Sequence, residues 1–487
     1  MSVLDAPATL EIALAGTAVD DALMAELASA TIEQRLNAPA SCELTFNDPL
    51  GRAAQLCKLG VPVAVRAGIE HQTIFDGSFA RIELVVRGDL ARTLRVIAYD
   101  ALDSLRRGTP VRVHSDVTFV GLARELTRSL GIDVDATPYG TVQPHVVQHR
   151  RSDFDLLLES AERAGAYFRL VDGTLRTYPI AASGSAKALE IGRDVRELTV
   201  TLSDADAAAA VDVSGWDPHR GRAFHGTAAR TAGGNADVKL TNVIVRSDGQ
   251  ADAVARSQIE RRAANGATLH LVAEGNPALA PGDCIRLNDV PDGYAGPFRI
   301  TLARHRFGPS LGYAVELSSA LPAPHPPRQN ASATLGVVAD VRDPDAFGRV
   351  KVRYPAMHDA ESDWLQVLAA GAGGKKGLVA LPAVDDLVLV LVVDDDPANA
   401  VVLGALYGSG GMPGERPEAF KGYALYSPGG HTIRLDDDGA LTLSTPAGTS
   451  IELGRDEMRL HSQTDLTIEA PGKTITIAAT AVEVKQR

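Results

Sequence analysis

Between Ile433 and Val484, apolar residues two apart recur seven times: Ile433/Leu435, Leu441/Leu443, Ile451/Leu453, Met458/Leu460, Leu466/Ile468, Ile475/Ile477 and Val482/Val484. Successive pairs start 8, 10, 7, 8, 9 and 7 residues apart, with turn residues such as Asp438-Gly439, Pro446-Ala447-Gly448, Gly454 and Pro471-Gly472 between them. An apolar residue at every second position lies on one face of a strand, so the spacing predicts seven short strands with one apolar row each. A ribbon this narrow covers its row only partly and leaves two long edges open. The entropy lost on ordering one copy exceeds what burial of a single row contributes. Three copies around a common axis turn all rows inward and pair the edges. The alternates Thr432, Arg434, Thr442, Glu452, Arg459, Thr467 and Thr476 then stay in water. The expectation is an intertwined trimeric β-prism (β-helix) over residues 427–487, with all fourteen apolar pair members in the trimer core. At about 4.8 Å per strand, the needle would be roughly 35 Å long.

Upstream, Gly (45) and Pro (27) are plentiful, which suits many short strands and turns. Strand patterns at Ala8 to Leu14, Ala40 to Phe46, Val61 to Arg66, Gly77 to Val86 and Leu90 to Tyr99 predict a barrel or sandwich over residues 1–113. The period then changes. FVGLARELTRSLG sets Phe119, Leu122, Leu126 and Leu130 at helical spacing before Gly131. SDFDLLLESAERAG follows, with Ser152 or Asp153 as the cap, Phe154, Leu157, Leu158 and Ala161 on one face, and Gly165 as the stop. These helices and short strands predict an α+β insert over residues 114–205. A second strand-rich stretch, 206–320, is interrupted by the helical ADAVARSQIERRAANG. The proline-rich 321–333 reads as a spacer, 334–408 as a small closed barrel of the OB type, and 409–426 as a second linker. The class is therefore mainly β.

The net charge of −13 argues against broad affinity for nucleic acid or anionic membranes. Cys42, Cys57 and Cys284 form no CxxC pair, which disfavours a disulfide scaffold or a cysteine zinc site. The N-terminus carries Asp5 and Glu11 in its apolar stretch and lacks a basic start, and no apolar run approaches 18 residues, so the expected product is soluble and cytoplasmic.

At this point the chain resembles the VgrG-type spike proteins of contractile injection machines. The most specific stretches are DPDAFGRVKVRYP (343–355), SDWLQVLAAGAGGKKGLVALPAVDDLVLV (362–390) and DDDPANAVVLGALYG (394–408), which look like the family's OB barrel. YDALDSLRRG (99–108), QHRRSDFDLLL (148–158) and GNPALAPGD (275–283) look like its baseplate hub. The resemblance implies two similar hub β-barrels per chain, so that a homotrimer makes a pseudo-sixfold ring able to seat on a hexameric inner tube and baseplate. It also implies a PAAR-type tip protein at the C-terminal end, at Val482, Val484 and Lys485, and mechanical puncture of a target envelope. No hydrolase stretch separates barrel from prism and nothing follows Arg487. The expectation is a lean, effector-free spike, similar to those of extracellular contractile particles, assembled in the cytoplasm into a phage tail-like particle and open to release.

Other readings carry less. His145 and His149 have i, i+4 spacing, but the flanking Pro144, Val146 and Val147 favour an extended segment over a shared metal. Asp394 to Asp396 and Asp436 to Asp438 lack the spacing of a calcium loop and read as solvated turns. GAGGKKG (371–377) lacks the Ser or Thr and the helix of a phosphate loop. Arg349, Lys351 and Arg353 alternate along a strand, which makes an OB-fold nucleic-acid-binding module the runner-up. A polysaccharide-binding module or trimeric tailspike is a further alternative, limited by the presence of only Trp216 and Trp364. No GxSxG elbow or paired catalytic motif appears, so neither catalysis nor a cofactor is expected.

Overall fold

Strand alternation decides most of the architecture. The computed structural model describes residues 10–89, 91–137, 140–217, 222–230, 236–241, 245, 247–309, 312–324, 331–393, 395–408, 411–414 and 421–485. It comprises two units, Met1–Gly404 and Ala405–Arg487.

The first unit opens with β1 (Leu10–Leu14), β2 (Thr17–Ala18), β3 (Leu27–Arg35), β4 (Ser41–Asn47), β5 (Pro62–Ala67), β6 (Gln72–Val86) and β7 (Arg92–Tyr99). Short helices α1 (Asp21–Met24) and α2 (Arg52–Leu56) lie in the connections. Alternate residues, among them Ile32, Leu44, Phe46, Val65, Leu94 and Val96, point into one core.

Next come β8 (Arg112–Val117), α3 (Phe119–Thr127), β9 (Asp133–Asp135), β10 (Gln143–Gln148), α4 (Asp153–Ala164), β11 (Ala166–Val171) and β12 (Thr174–Pro179). Phe119, Leu122 and Leu126 of α3 meet Phe154, Leu157 and Ala161 of α4 in a second core. Leu156 is also buried there, while Leu158 is only half-buried. Gly165 ends α4 at φ 69°, a left-handed conformation that glycine adopts without strain.

The following strands are β13 (Ala186–Glu190), β14 (Val195–Leu202), β15 (Ala210–Asp217), β16 (Arg222–Ala229) and β17 (Asp237–Leu240), then α5 (Asp248–Asn265), β18 (Ala267–Glu274), β19 (Cys284–Asn288), β20 (Phe298–Arg299), β21 (Leu302–Gly308) and β22 (Gly312–Ser318). β21 pairs with β3 from Leu302↔Arg35 to Phe307↔Ala30. One sheet of 11 strands results, in the order β14-β18-β22-β21-β3-β4-β7-β6-β5-β1-β2. The two stretches read as separate hub barrels are thus hydrogen-bonded into one sheet, because β3 and β21 each satisfy the edge the other would leave open. β14, placed by sequence in the insert, belongs to this sheet, and β13 pairs with β19. β15 to β17 and α5 make a separate layer around Val211, Val213, Phe224, Ala251 and Ala255. A Cβ at Gly226 would lie 2.2 Å from the Ala251 carbonyl carbon, so glycine lets α5 approach β16.

The strands β23 (Ser332–Asp340), β24 (Lys351–Tyr354), β25 (Ala360–Glu361), β26 (Gln366–Val367), β27 (Leu387–Val392) and β28 (Ala400–Leu406) form a six-stranded sheet, order β25-β24-β23-β27-β28-β26. Val350 bridges Leu365, and Val338, Val352, Tyr354, Val388, Val390 and Val402 fill its core. Val147 of β10 enters the same core, and His145 Nε2 lies 3.1 Å from the Glu361 carbonyl oxygen. This module therefore docks on the insert. Within the expected spacer, 325–330 lies outside the described residues, as does 415–420 in the second linker.

The second unit holds β29 (Gly422–Tyr426), β30 (Thr432–Asp436), β31 (Leu441–Ser444), β32 (Ser450–Leu453) and β33 (Met458–His461), an antiparallel meander in chain order. Strands thus occur at four of the seven apolar pairs, and β29 falls in the range taken for linker. Among the described residues 462–485 there is no strand.

Candidate functional site

The meander's register aligns the apolar pairs. Ile433 lies opposite Leu443 and Leu435 opposite Leu441, then Leu443 opposite Ile451 and Leu441 opposite Leu453, and finally Ile451 opposite Leu460 and Leu453 opposite Met458. Directly opposed side chains share a face, so both members of each pair stand on the same side. β29 extends the ladder by one rung, with Tyr423 opposite Leu435 and Leu425 opposite Ile433. These two residues were missed because their strand sits in the presumed linker. Tyr423/Leu425 is itself an i, i+2 apolar pair, and that was the available signal.

Among the described residues nothing covers this ladder. Leu425, Ile433, Leu435, Leu443, Leu453, Met458 and Leu460 are exposed, and Leu441 and Ile451 are half-buried. The other face is polar: Thr432 beside Ser444, Arg434 opposite Thr442, Glu452 opposite Arg459. β30, β31 and β32 are hydrogen-bonded on both sides within the chain, which leaves β29 and β33 as the outer strands. The uncovered feature is the side-chain face. The remaining expected core residues, Leu466, Ile468, Ile475, Ile477, Val482 and Val484, are exposed and lie outside strands. Lys485, named with Val482 and Val484 for tip binding, pairs with Glu483 at 2.9 Å.

The OB-type module loses its basic stripe. Arg349 is nearly buried and is clamped by Asp343, with a further contact to Asp345 at 2.6 Å. This guanidinium holds the Asp343 carboxyl well below the usual carboxylate range, helped by backbone N–H groups of Asp345, Phe347 and Arg349. Lys351 meets Glu361 at 3.3 Å and Arg353 meets Asp359 at 2.9 Å. Each of the three cations has an acidic partner, unlike a groove that tracks a phosphate backbone. Glycine-rich 371–377 is a tight exposed turn in which Gly373 and Lys376 exchange backbone hydrogen bonds. His145 sits on the extended β10, and no group of three metal-ligating side chains occurs among the described residues.

Residues 334–407 match the type VI secretion system/phage-baseplate injector OB domain. Three solved structures share the fold. The Escherichia coli c3393 protein, described as a component of the type VI secretion system with structural similarity to the T4 tail proteins gp27 and gp5, is 13% identical with a TM-score of 0.57 over 82% of this chain and 100% of that one. The Francisella PdpA–VgrG complex gives 10% identity and a TM-score of 0.57 over 93% of this chain and 87% of that one. The 43 kDa tail protein of prophage MuSo2 from Shewanella oneidensis gives 13% and 0.51, over 64% and 97%. A mainly β hub sheet, an OB domain and a strand-repeat C-terminus give this chain the fold of these phage-tail and VgrG structures. Residues 5–308, more than half of the chain, match the Alg8 N-terminal domain, and the chain belongs to that family.

Proposed function

We propose that this chain is the homotrimeric hub and spike of a contractile injection machine, and that it works mechanically, without catalysis or cofactor. The observation that carries the reading is the apolar ladder on β29 to β33, aligned rung by rung and uncovered in the single chain. A surface patch of this extent is rare on a monomer and marks an association site. The occupant is two further copies of the same ladder: three identical rows facing one axis give a dry core with the polar faces outward. The pairs from Leu466 to Val484 continue that core toward the tip. In this reading the hub seats on a hexameric tube, Val482, Val484 and Lys485 meet a PAAR-type tip protein, and the particle is assembled in the cytoplasm before it reaches a target membrane by puncture.

Light scattering tests it. The expected mass is three times 51.2 kDa. Leu443→Asp sets three carboxylates side by side in the core and should lower the fraction of trimer at least tenfold at micromolar concentration. A wild-type chain that stays at 51.2 kDa, or an unaffected L443D trimer, refutes the ladder as trimer core.

A further inference from the structure

Helix α5 runs beside the outer edge of β16, and the contact between them changes at its third step. Among the described residues β16 pairs with β15 alone, so no strand lies on its other edge. On that edge the His225 N–H donates to Asp248 Oδ1 at 3.1 Å, and the Thr227 N–H donates to Asp252 Oδ1 at 3.3 Å. Carboxylates of α5 thus stand where a neighbouring strand would place carbonyls. The two elements keep in step, because two strand residues advance about 6.7 Å and four helix residues about 6 Å. One step further on, the strand residue is Ala229 and the helix residue is Arg256. The Arg230 N–H donates to the Ala209 carbonyl oxygen at 3.0 Å, on the β15 side. Period two therefore turns the Ala229 N–H toward α5, like those of His225 and Thr227. A kind of donor that meets an acid at two positions meets a guanidinium at the third.

An open groove of about 670 Å³ lies at this place. Its floor is apolar, with Ala228 and Ile259 buried and Ala263 half-buried. Its rim holds Arg230, Arg256 and Glu260, all exposed. Other arginines of α5 are engaged: Arg261 donates to the Pro322 carbonyl oxygen at 2.7 Å and Arg262 to that of Asp206 at 3.4 Å. Among the described residues, Arg230 and Arg256 make neither a hydrogen bond nor an ion pair. One backbone N–H and two guanidinium groups thus border a groove with an apolar floor. Donors of this kind take a carboxylate through charge-assisted hydrogen bonds, and Asp248 and Asp252 show the same β16 edge accepting carboxylates. Those two acids occupy the edge as far as Thr227, which leaves room for a short segment and not for a full added strand.

We propose that this groove binds a short, extended acidic peptide. One aspartate or glutamate carboxylate of the peptide takes the Ala229 N–H and the Arg230 and Arg256 guanidinium groups, and an apolar side chain of the same segment covers Ile259 and Ala263. Glu260, one helical turn from Arg256, opposes a second acid at that end of the groove and so limits the site to one carboxylate. The surface is separate from the apolar ladder, and the inference does not depend on the trimer reading.

Fluorescence anisotropy on the full chain tests it. The probe is a fluorescein-labelled hexapeptide of alternating aspartate and valine with blocked ends, and the control carries asparagine in place of aspartate. At low ionic strength the aspartate peptide should bind saturably below millimolar concentration and the control at least tenfold more weakly, and added salt should weaken the aspartate peptide. Arg230→Gln and Arg256→Gln should each weaken it at least threefold, whereas Glu260→Gln should tighten it. All three side chains are exposed, so each variant should melt with the wild type. Amides of 228–230 should exchange more slowly in the presence of the aspartate peptide, while those of the exposed turn 87–89 stay unchanged. Absence of saturable binding, equal binding of the asparagine control, or wild-type affinity in the Arg230→Gln/Arg256→Gln double variant overturns the proposal. The mass of the particle is read separately by light scattering, so none of these outcomes bears on the trimer.

Discussion

Two buried titratable residues set opposite pH slopes. His305 of β21 has Nδ1 2.9 Å from the Tyr313 hydroxyl, and burial, aided by the nearby Arg169 charge, pushes its imidazole down to about 4. Its folded value is depressed, so the stability it supports is present above about 6.5 and is lost as the pH falls toward about 4. Asp100 accepts hydrogen bonds from the N–H groups of Ala40 (2.9 Å) and Leu102 (3.0 Å), yet burial outweighs them and pushes its carboxyl up to about 7. Its contribution is complete below 3.8 and is lost as the pH rises through about 7. Melting temperatures between pH 4 and 8 should therefore show a shallower acid-side fall in His305→Asn and a shallower neutral-side fall in Asp100→Asn. Variant profiles parallel to wild type would remove these two groups from the account. Neither residue's titration was marked by the sequence, although Asp100 lies in the hub-like stretch YDALDSLRRG, because burial is a tertiary property.

At the level of elements, local chemistry was readable where it acts within a few residues. The SDFD motif offered Ser152 or Asp153 as the cap of α4, and the structure selects Ser152. Its Oγ accepts from the Asp155 N–H at 3.1 Å, while Asp155 Oδ2 accepts from the Ser152 N–H at 3.1 Å. This reciprocal pair satisfies two donors that a helix start leaves free. Ser152→Ala should cost about 1 kcal/mol, measured by urea denaturation, whereas Ser152→Thr should lose much less. Equal losses for both would assign Ser152 a packing role. The apolar pairs of the needle were equally plain, since period two is a local signal. β29 was overlooked because a glycine- and proline-rich neighbourhood reads as linker whatever short strand it contains.

At the level of the whole molecule, the proposed function divides self-association between the part before residue 421 and the apolar ladder after it. Deleting residues 421–487 should remove the ladder and leave a hub whose self-association, by sedimentation velocity, is at least tenfold weaker than that of the full chain. A deletion that stays trimeric at micromolar concentration would shift the main association energy to the hub and the OB-type module. The sequence by itself determined what period and turn chemistry encode: the mainly β class, the α+β insert, the OB-type module over 334–408 and the repeating apolar pairs of the C-terminus. Only the tertiary structure decided that β3 and β21 fuse two expected barrels into one sheet and that β14 belongs to it. It also set Val147 in the core of the OB-type module and gave Arg349, Lys351 and Arg353 acidic partners instead of a free basic stripe. The physical reason is range. A side chain's alternation and a helix cap depend on neighbours a few residues away, whereas strand pairing and charge neutralisation depend on groups that meet only once the chain has folded.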